Sequence, residues 1–139
     1  MSSQPTASFR FSKFIVKESH IIFQEQGEYD LAISFKPRGL VFKLFNQFQL
    51  ELGVEVKDKD NKIAISILTF STFEFDEDAD IEAYKSSFFI TNAPAIIYPY
   101  IRSYIASLTA QSGLITITLP TLNLTGLAQE LRGNIEEIK

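Results

Sequence analysis

The sequence predicts a single-domain α+β protein in which four strands are followed by two helices. Two observations lead to this prediction. Apolar and polar residues alternate through most of residues 9–75, which is the period of a half-buried strand. Apolar residues then recur every three to four positions in two later segments, which is the period of an amphipathic helix. Strands and helices that are segregated along a chain are typical of α+β folds.

Length and composition set the size of this domain. The chain has 139 residues, enough for one domain with its own hydrophobic core. Residues 1–8 are polar and contain Pro5, so we predict a flexible tail there and a single domain over residues 9–139. The 13 phenylalanines exceed what a small core obviously needs. They predict either an exposed or inter-subunit aromatic surface or simply a phenylalanine-rich core.

Composition also argues against several classes of function. The chain has no cysteine and one histidine, which excludes disulfides and a standard one-chain zinc site. A formal net charge of −4 argues against nucleic acid as a partner. No secretory signal pattern and no apolar run of the ~20 residues that span a membrane is present, so we expect a cytoplasmic protein without membrane insertion. Without a nucleophile elbow or a glycine-rich phosphate loop, we expect neither an enzyme nor a cofactor.

Local patterns predict the strands. A first strand is predicted from Phe9 to Gln24, with a change of parity at residues 12–13 that indicates a β-bulge or a strand buried on both faces. A second is predicted from Tyr29 to Phe35, followed by a turn at residues 36–39 (KPRG). The clearest strand runs from Phe48 to Val56, and a hairpin turn at residues 58–61 leads to a return strand over residues 63–75. Both faces of the return strand are partly apolar, which predicts an oligomer or a bound client.

The last third of the chain predicts two helices. Asn92 is a suitable N-cap, Pro94 suits the first turn, and Pro99 predicts a kink or a later helix start. Gly113 stands where a left-handed cap ends the first helix. An extended apolar run follows at residues 114–119. Apolar residues at helical spacing then predict a second helix that continues to the end of the sequence: Leu127, Leu131, Ile135 and Ile138.

This order of features resembles the SecB family of bacterial protein-export chaperones. The resemblance extends from about Phe9 to Leu131 and is strongest in the last third. It implies a four-stranded antiparallel sheet followed by two helices that an apolar crossover loop joins, with protomers assembled as a dimer of dimers. The residues that support the resemblance are Pro94, Tyr98, Pro99, Tyr100, Arg102, Gly113 and the element Pro120–Leu124.

The resemblance implies an ATP-independent holdase that binds unfolded or precursor proteins and keeps them competent for export. Hydrophobic burial is non-directional, so a groove of aromatic and branched side chains can bind many sequences. The crossover loop and the second strand wall this groove in the family, although each matching residue could also be ordinary core. The matching residues are Phe42, Phe45, Leu114, Ile117, Leu119, Leu122 and Leu124.

The resemblance also implies contacts with other proteins. In the family, acidic residues on the outer sheet face dock the motor ATPase SecA, and Glu18 and Glu25 are the candidates here. Two alternatives stay open: a SecB-like chaperone that protects an antitoxin, and a binding or structural module whose apolar surface is permanently covered. The helix contact that would build the homotetramer falls on Tyr100, Ile101, Tyr104, Ile105 and Leu108.

Overall fold

The computed structural model describes residues 9–139, and the predicted flexible tail at residues 1–8 lies outside the described residues. One mixed sheet carries the helices on its apolar face. The strands are β1 (Phe9–Phe23), β2 (Leu31–Phe42), β3 (Gln47–Asp58), β4 (Ile63–Phe75) and β5 (Ile135–Ile138). The helices are α1 (Ile81–Lys85), α2 (Ala93–Gln111) and α3 (Thr125–Arg132).

The sheet has five strands in the order β1-β4-β3-β2-β5. The first four pair antiparallel, but β5 pairs parallel with β2, so the predicted purely antiparallel sheet of four strands is wrong. The predicted helix through Ile138 is also wrong, because its last part is the strand β5. The helix α3 ends at Arg132, and Gly133 and Asn134 connect it to β5. A three-residue spacing of two isoleucines fits a helix, but it does not require one.

The predicted turn at residues 36–39 is also wrong, because β2 is continuous from Leu31 to Phe42. The backbone N–H of Gly39 points to the outer edge, where it donates to the carbonyl of Asn134 at 3.0 Å. The nitrogen of Pro37, two residues earlier, therefore points to the same edge and away from β3. A proline is tolerated in a strand at that position because no pairing bond with β3 is lost.

The predicted bulge near the start of β1 is confirmed. The pairing of β1 with β4 shifts register between Phe11 and Lys13, and again between Val16 and Glu18. The first shift places Phe11 and Phe14 on the same face of the sheet, although their sequence parity differs. Both rings therefore contribute to the face that the helices cover.

The core lies between this face and α2. Alternate side chains of β3 and β4 are buried, and the return-strand hairpin predicted at residues 58–61 is confirmed. Phe48 stacks on Phe89 with ring centroids 4.1 Å apart, and both rings are fully buried. Ile97 of α2 is fully buried in the same core. A large share of the aromatic content is thus core, as one of the two sequence interpretations proposed.

The start of α2 differs from its prediction. Asn92 directly precedes α2, as predicted, but it ends a π-helical turn (Phe88–Asn92) and has helical backbone angles. The predicted cap bond of its side chain is not made. The helix continues through Pro99 instead of starting near it. Proline leaves the carbonyl of Ala95 without its helical donor, but Ala95 is exposed to water. Within residues 9–139, no helix combines the length and apolar character of a membrane span.

Candidate functional site

Side chains of α2 hold the crossover loop in place. The Tyr98 hydroxyl donates to the carbonyl of Pro120 at 2.5 Å, and Arg102 Nε donates to the carbonyl of Leu119 at 2.9 Å. The Thr109 hydroxyl accepts from the backbone N–H of Ile117 at 2.9 Å. Burial raises the pKa of Tyr98, which keeps its hydroxyl a neutral donor. The first two bonds give a structural role to Tyr98 and Arg102, two of the residues on which the family resemblance rests.

The same bonds decide which way the loop side chains point. Ile117 is 5% exposed and Leu119 is 1% exposed, so both belong to the protomer core and not to an open groove wall. Their neighbours Thr116 and Thr118 are exposed. An extended segment sends successive side chains to opposite sides, and the hydrogen bonds to α2 set which side is inward. The prediction that these two residues line a groove is therefore corrected.

Leu122 and Leu124 lie where a ligand can reach them. They are half-buried in the walls of a cleft of about 350 Å³ between the loop and the starts of α2 and α3. Asn123 orders this corner, because its side-chain oxygen accepts from the backbone N–H of Thr125 at 3.0 Å. Leu114, also half-buried, follows the left-handed Gly113 at the other end of the loop, where the predicted helix end is confirmed. We call the cleft around Leu122 and Leu124 the loop cleft. Its walls are formed by Thr91, Ala95, Leu122, Asn123, Leu124, Thr125 and Ala128.

A second apolar surface lies at the turn between β2 and β3. The strand β2 ends at Phe42, a 3₁₀ turn covers Lys43–Phe45, and Asn46 has a left-handed backbone with φ of 53°. This tight turn leaves Leu44 80% exposed and Phe45 70% exposed. Two clefts of about 250 and 160 Å³ share Leu44, Ile138 and Lys139 in their walls. We call the surface formed by Phe42, Leu44, Phe45 and Ile138 the turn patch.

Charged residues surround β5 beside the turn patch. Arg38 pairs with Glu136 at 2.8 Å. Glu137 lies between Lys85 at 2.9 Å and Lys43 at 3.3 Å. The hydrogen bond from Lys85 lowers the pKa of Glu137, and the same bond raises the pKa of Lys85. Sequence reasoning missed this cluster because it assigned the Glu136 and Glu137 segment to a helix.

The predicted subunit contact on α2 divides into two parts. Ile101 and Ile105 are fully buried in the protomer core, so their side chains face the sheet and not the outer side of α2. Tyr100 is 45% exposed, and Tyr104 and Leu108 are half-buried. These three residues remain accessible to a neighbouring subunit.

The two acidic residues proposed for a SecA contact are both exposed. Glu18 lies in β1 opposite Leu68 of β4, on the sheet face that the helices leave open. Glu25 lies in the connection between β1 and β2. Neighbouring apolar groups on this face include Phe70, whose ring lies 4.8 Å from the Lys17 ammonium. Glu18 and Glu25 stay predictions, since their position alone does not identify a partner.

Comparison with known proteins identifies the fold. The solved Mycobacterium tuberculosis SecB-like chaperone Rv1957, in complex with a ChAD peptide from the Rv1956 HigA1 antitoxin, matches with a TM-score of 0.71. The match covers 84% of this chain and 88% of that chain at 16% sequence identity. The fold is SecB-like. The coarse resemblance read from the sequence is thereby confirmed, with β5 as the part of the sheet that was not foreseen.

The three other findings add less. No family model matches the sequence. An uncharacterized protein of Methanocaldococcus jannaschii, MJ0357, is 26% identical over 148 residues that cover 100% of this chain and 92% of that protein. A protein of unknown function from Streptococcus agalactiae gives a TM-score of 0.49 at 10% identity, which is too distant to extend the argument from the SecB-like fold.

Proposed function

We propose that this protein is a SecB-like, ATP-independent chaperone that binds unfolded polypeptides through exposed apolar surfaces. The observation that carries the proposal is the turn patch, where two adjacent large side chains, Leu44 and Phe45, stand mostly in water on a SecB-like fold. Contiguous exposed apolar groups of this kind mark interaction sites in soluble domains. An unfolded chain supplies the matching partner, because its own apolar side chains are exposed.

Binding by such surfaces needs no nucleotide. Burial of apolar surface contributes about 25 cal/mol per Å² and does not depend on the order of residues in the client. The loop cleft and the turn patch are separate sites on one domain, so a long client can engage both. Linked contacts raise the effective concentration of the second contact after the first has formed. Weak individual contacts therefore add up to useful retention of a flexible chain.

The proposal includes a homotetrameric assembly and the transfer of clients to SecA. A homotetramer built as a dimer of dimers would multiply the binding sites, and the exposed side of α2 at Tyr100, Tyr104 and Leu108 is its proposed helix contact. Export clients would then pass to SecA, with Glu18 and Glu25 as the proposed docking residues. No catalytic step and no cofactor is part of this function.

A dedicated partner is the second candidate function. The solved complex of Rv1957 contains a peptide from an antitoxin, so a SecB-like fold can hold one defined segment. In that case this protein would bind one partner tightly and unrelated unfolded proteins poorly. The two candidates differ in selectivity and not in the surface they use.

Aggregation of an unrelated denatured protein tests the proposal. We expect the wild type to suppress aggregation at near-stoichiometric amounts, and the double variant Leu44→Ser/Phe45→Ser to need about tenfold more protein, since each 1.4 kcal/mol of lost contact is a factor of ten. Ile22→Ser is the matched control, because Ile22 is also exposed, at 58%, but lies on β1.

Three results would argue against parts of this proposal. A folded wild type that suppresses nothing, yet binds one peptide, would favour the dedicated partner. An equal loss of aggregation suppression in the control and the double variant would contradict the turn patch as the binding site. A monomer in solution, measured by light scattering, would contradict the proposed tetramer.

A further inference from the structure

We propose that β5 is an exchangeable strand: it occupies the outer edge of β2, and an extended segment of a bound polypeptide replaces it there. The proposal rests on the chaperone function proposed above and names the backbone contact through which a client is held. It makes the segment Ile135–Ile138 an internal stand-in for a client.

The backbone pairing between β2 and β5 is short. The pairing of β2 with β5 covers only Gly39 to Phe42, whereas its pairing with β3 covers the whole strand from Leu31 to Phe42. Parallel pairs are somewhat less stable per residue than antiparallel pairs. A strand edge offers backbone N–H and C=O groups to any extended chain, because these groups are the same in every sequence.

The side chains of β5 are not fully buried. Ile135 and Ile138 are only half-buried, and Glu136 and Glu137 are exposed. Departure of β5 therefore uncovers less apolar surface than departure of β3 would, because every second side chain of β3 is buried. The remaining attachment is the four-residue backbone ladder, the hydrogen bonds of Asn134 with Pro37 and Gly39, and ion pairs near the surface. Water and salt weaken the ion pairs.

The charges beside β5 indicate which segments replace it. Arg38, Lys43 and Lys85 all face its acidic residues, at 2.8 to 3.3 Å. When β5 leaves, these cations and the free edge of β2 lie side by side. They fit an extended segment in which acidic residues are flanked by apolar ones, as in Ile135-Glu136-Glu137-Ile138.

The turn patch links this exchange to binding. Ile138 lies in the walls of both clefts around Leu44, so β5 fills part of the same apolar surface that the proposed function uses. Release of β5 frees the position of Ile138 for an apolar side chain of the client. Strand pairing would then supply sequence-independent affinity, and the turn patch would supply the preference for apolar residues.

A reversible lock tests the exchange in the full chain. Leu40 and Glu136 are register partners, so Leu40→Cys/Glu136→Cys places two thiols across adjacent strands. The chain has no other cysteine, so only this pair can close. The reduced form of the same protein is the matched control. The probes are a fluorescent peptide of residues 134–139 and, separately, an unfolded client.

We expect closing the lock to raise the apparent Kd for both probes by about tenfold or more, because the competent fraction falls, and reduction to restore it. A peptide with both glutamates changed to lysine should bind more weakly to the reduced form. Equal Kd values for closed and open forms, with the disulfide verified by mass, would overturn the exchange. If the open form binds the peptide but no form binds the client, the exchange stands and the chaperone function falls.

A second variant covers the case in which the paired cysteines prevent folding. Glu137→Lys replaces two attractions, with Lys43 and Lys85, by repulsions and keeps the full chain. We expect it to bind the residue 134–139 peptide about tenfold more tightly than the wild type, since more of the protein has an open edge. Unchanged binding would overturn the proposal. A strand-swapped dimer that binds no peptide would also overturn it, because the occupant would then be a second copy.

Discussion

The two neighbours of β2 are held in very different ways. β3 meets it along twelve residue pairs, and its alternate side chains are sealed in the core. β5 meets it along four residue pairs, with two half-buried isoleucines and ion pairs to Arg38, Lys43 and Lys85. Burial therefore fixes the centre of this sheet, whereas charge and a short backbone ladder fix its edge.

Removal of a central ring should have the largest effect. Phe48→Ala deletes a fully buried side chain that stacks on Phe89, so we expect it to lower the free energy of unfolding by about 3–5 kcal/mol. Ile138→Ala, on the other side of β2, should cost less than about 1.5 kcal/mol because the side chain is half-buried. Urea unfolding measures both, and similar costs would erase the contrast between centre and edge.

A methyl group at Gly39 should disturb both neighbours of β2 at once. A Cβ there would stand 2.8 Å from Cε1 of Phe48 and 3.1 Å from Cγ1 of Ile135, which is too close on the core side. We expect Gly39→Ala to cost about 1–3 kcal/mol in urea unfolding and to loosen β5. Gly53→Ala is the control, because its Cβ would meet Lys36 at an ordinary 3.5 Å. Equal costs would contradict the close packing.

The crossover loop lies between these two extremes. Thr109→Val removes the acceptor of the buried Ile117 N–H, so we expect a loss of about 1–2 kcal/mol. Thr118→Val changes an exposed threonine of the same loop and should cost much less. Hydrogen exchange of the Ile117 amide gives a local readout. If that amide stays equally protected in Thr109→Val, the threonine does not hold the loop.

The smallest effect should come from Glu137, whose neighbours Lys43 and Lys85 lie near the surface. Glu137→Gln should cost less than about 1 kcal/mol. The pKa of Glu137 is lowered from 4.5, so its contribution is present above that value and is lost as the pH falls through the lower folded-state pKa. The pKa of Lys85 is raised from 10.5, so its contribution is lost only as the pH rises through the higher folded value.

The strand β5 should therefore stay attached between these limits and loosen in acid. The NMR signal of the Gly39 amide, which donates to Asn134, reports the attachment directly. We expect this signal to shift in the wild type as the pH falls through the lowered pKa of Glu137, and to shift much less in Glu137→Gln. A shift of the same size in both proteins would assign the acid response to another group.

Sequence patterns predicted the centre of the fold well because local and tertiary demands agree there. Strict alternation of apolar and polar residues from Phe48 to Val56 predicts a strand with one buried face, and β3 is such a strand. Gly113 could be assigned for a similar reason, since its φ of 80° suits glycine and few other residues. The resemblance to SecB supplied the antiparallel pairing of the first four strands, which periodicity alone does not contain.

The edge and the site were harder because their structure depends on partners far away in the chain. The spacing of Ile135 and Ile138 suits a helix or a strand, and only the free edge of β2 decides between them. Pro37 suggested a turn because proline is uncommon inside a strand. The sequence does not show that its nitrogen faces away from β3, where proline is tolerated. Ile117 and Leu119 were assigned to a groove because their inward direction depends on bonds from α2.

The bonds from α2 to the crossover loop also bear on how this protein changes over evolutionary time. Tyr98 and Arg102 donate to backbone carbonyls, which every residue carries. The path of the loop is therefore specified by the helix, so the exposed loop positions Ile115, Thr116 and Thr118 can drift in sequence without moving it. A homologue that keeps these two donors can thus present different side chains at these positions on the same loop path.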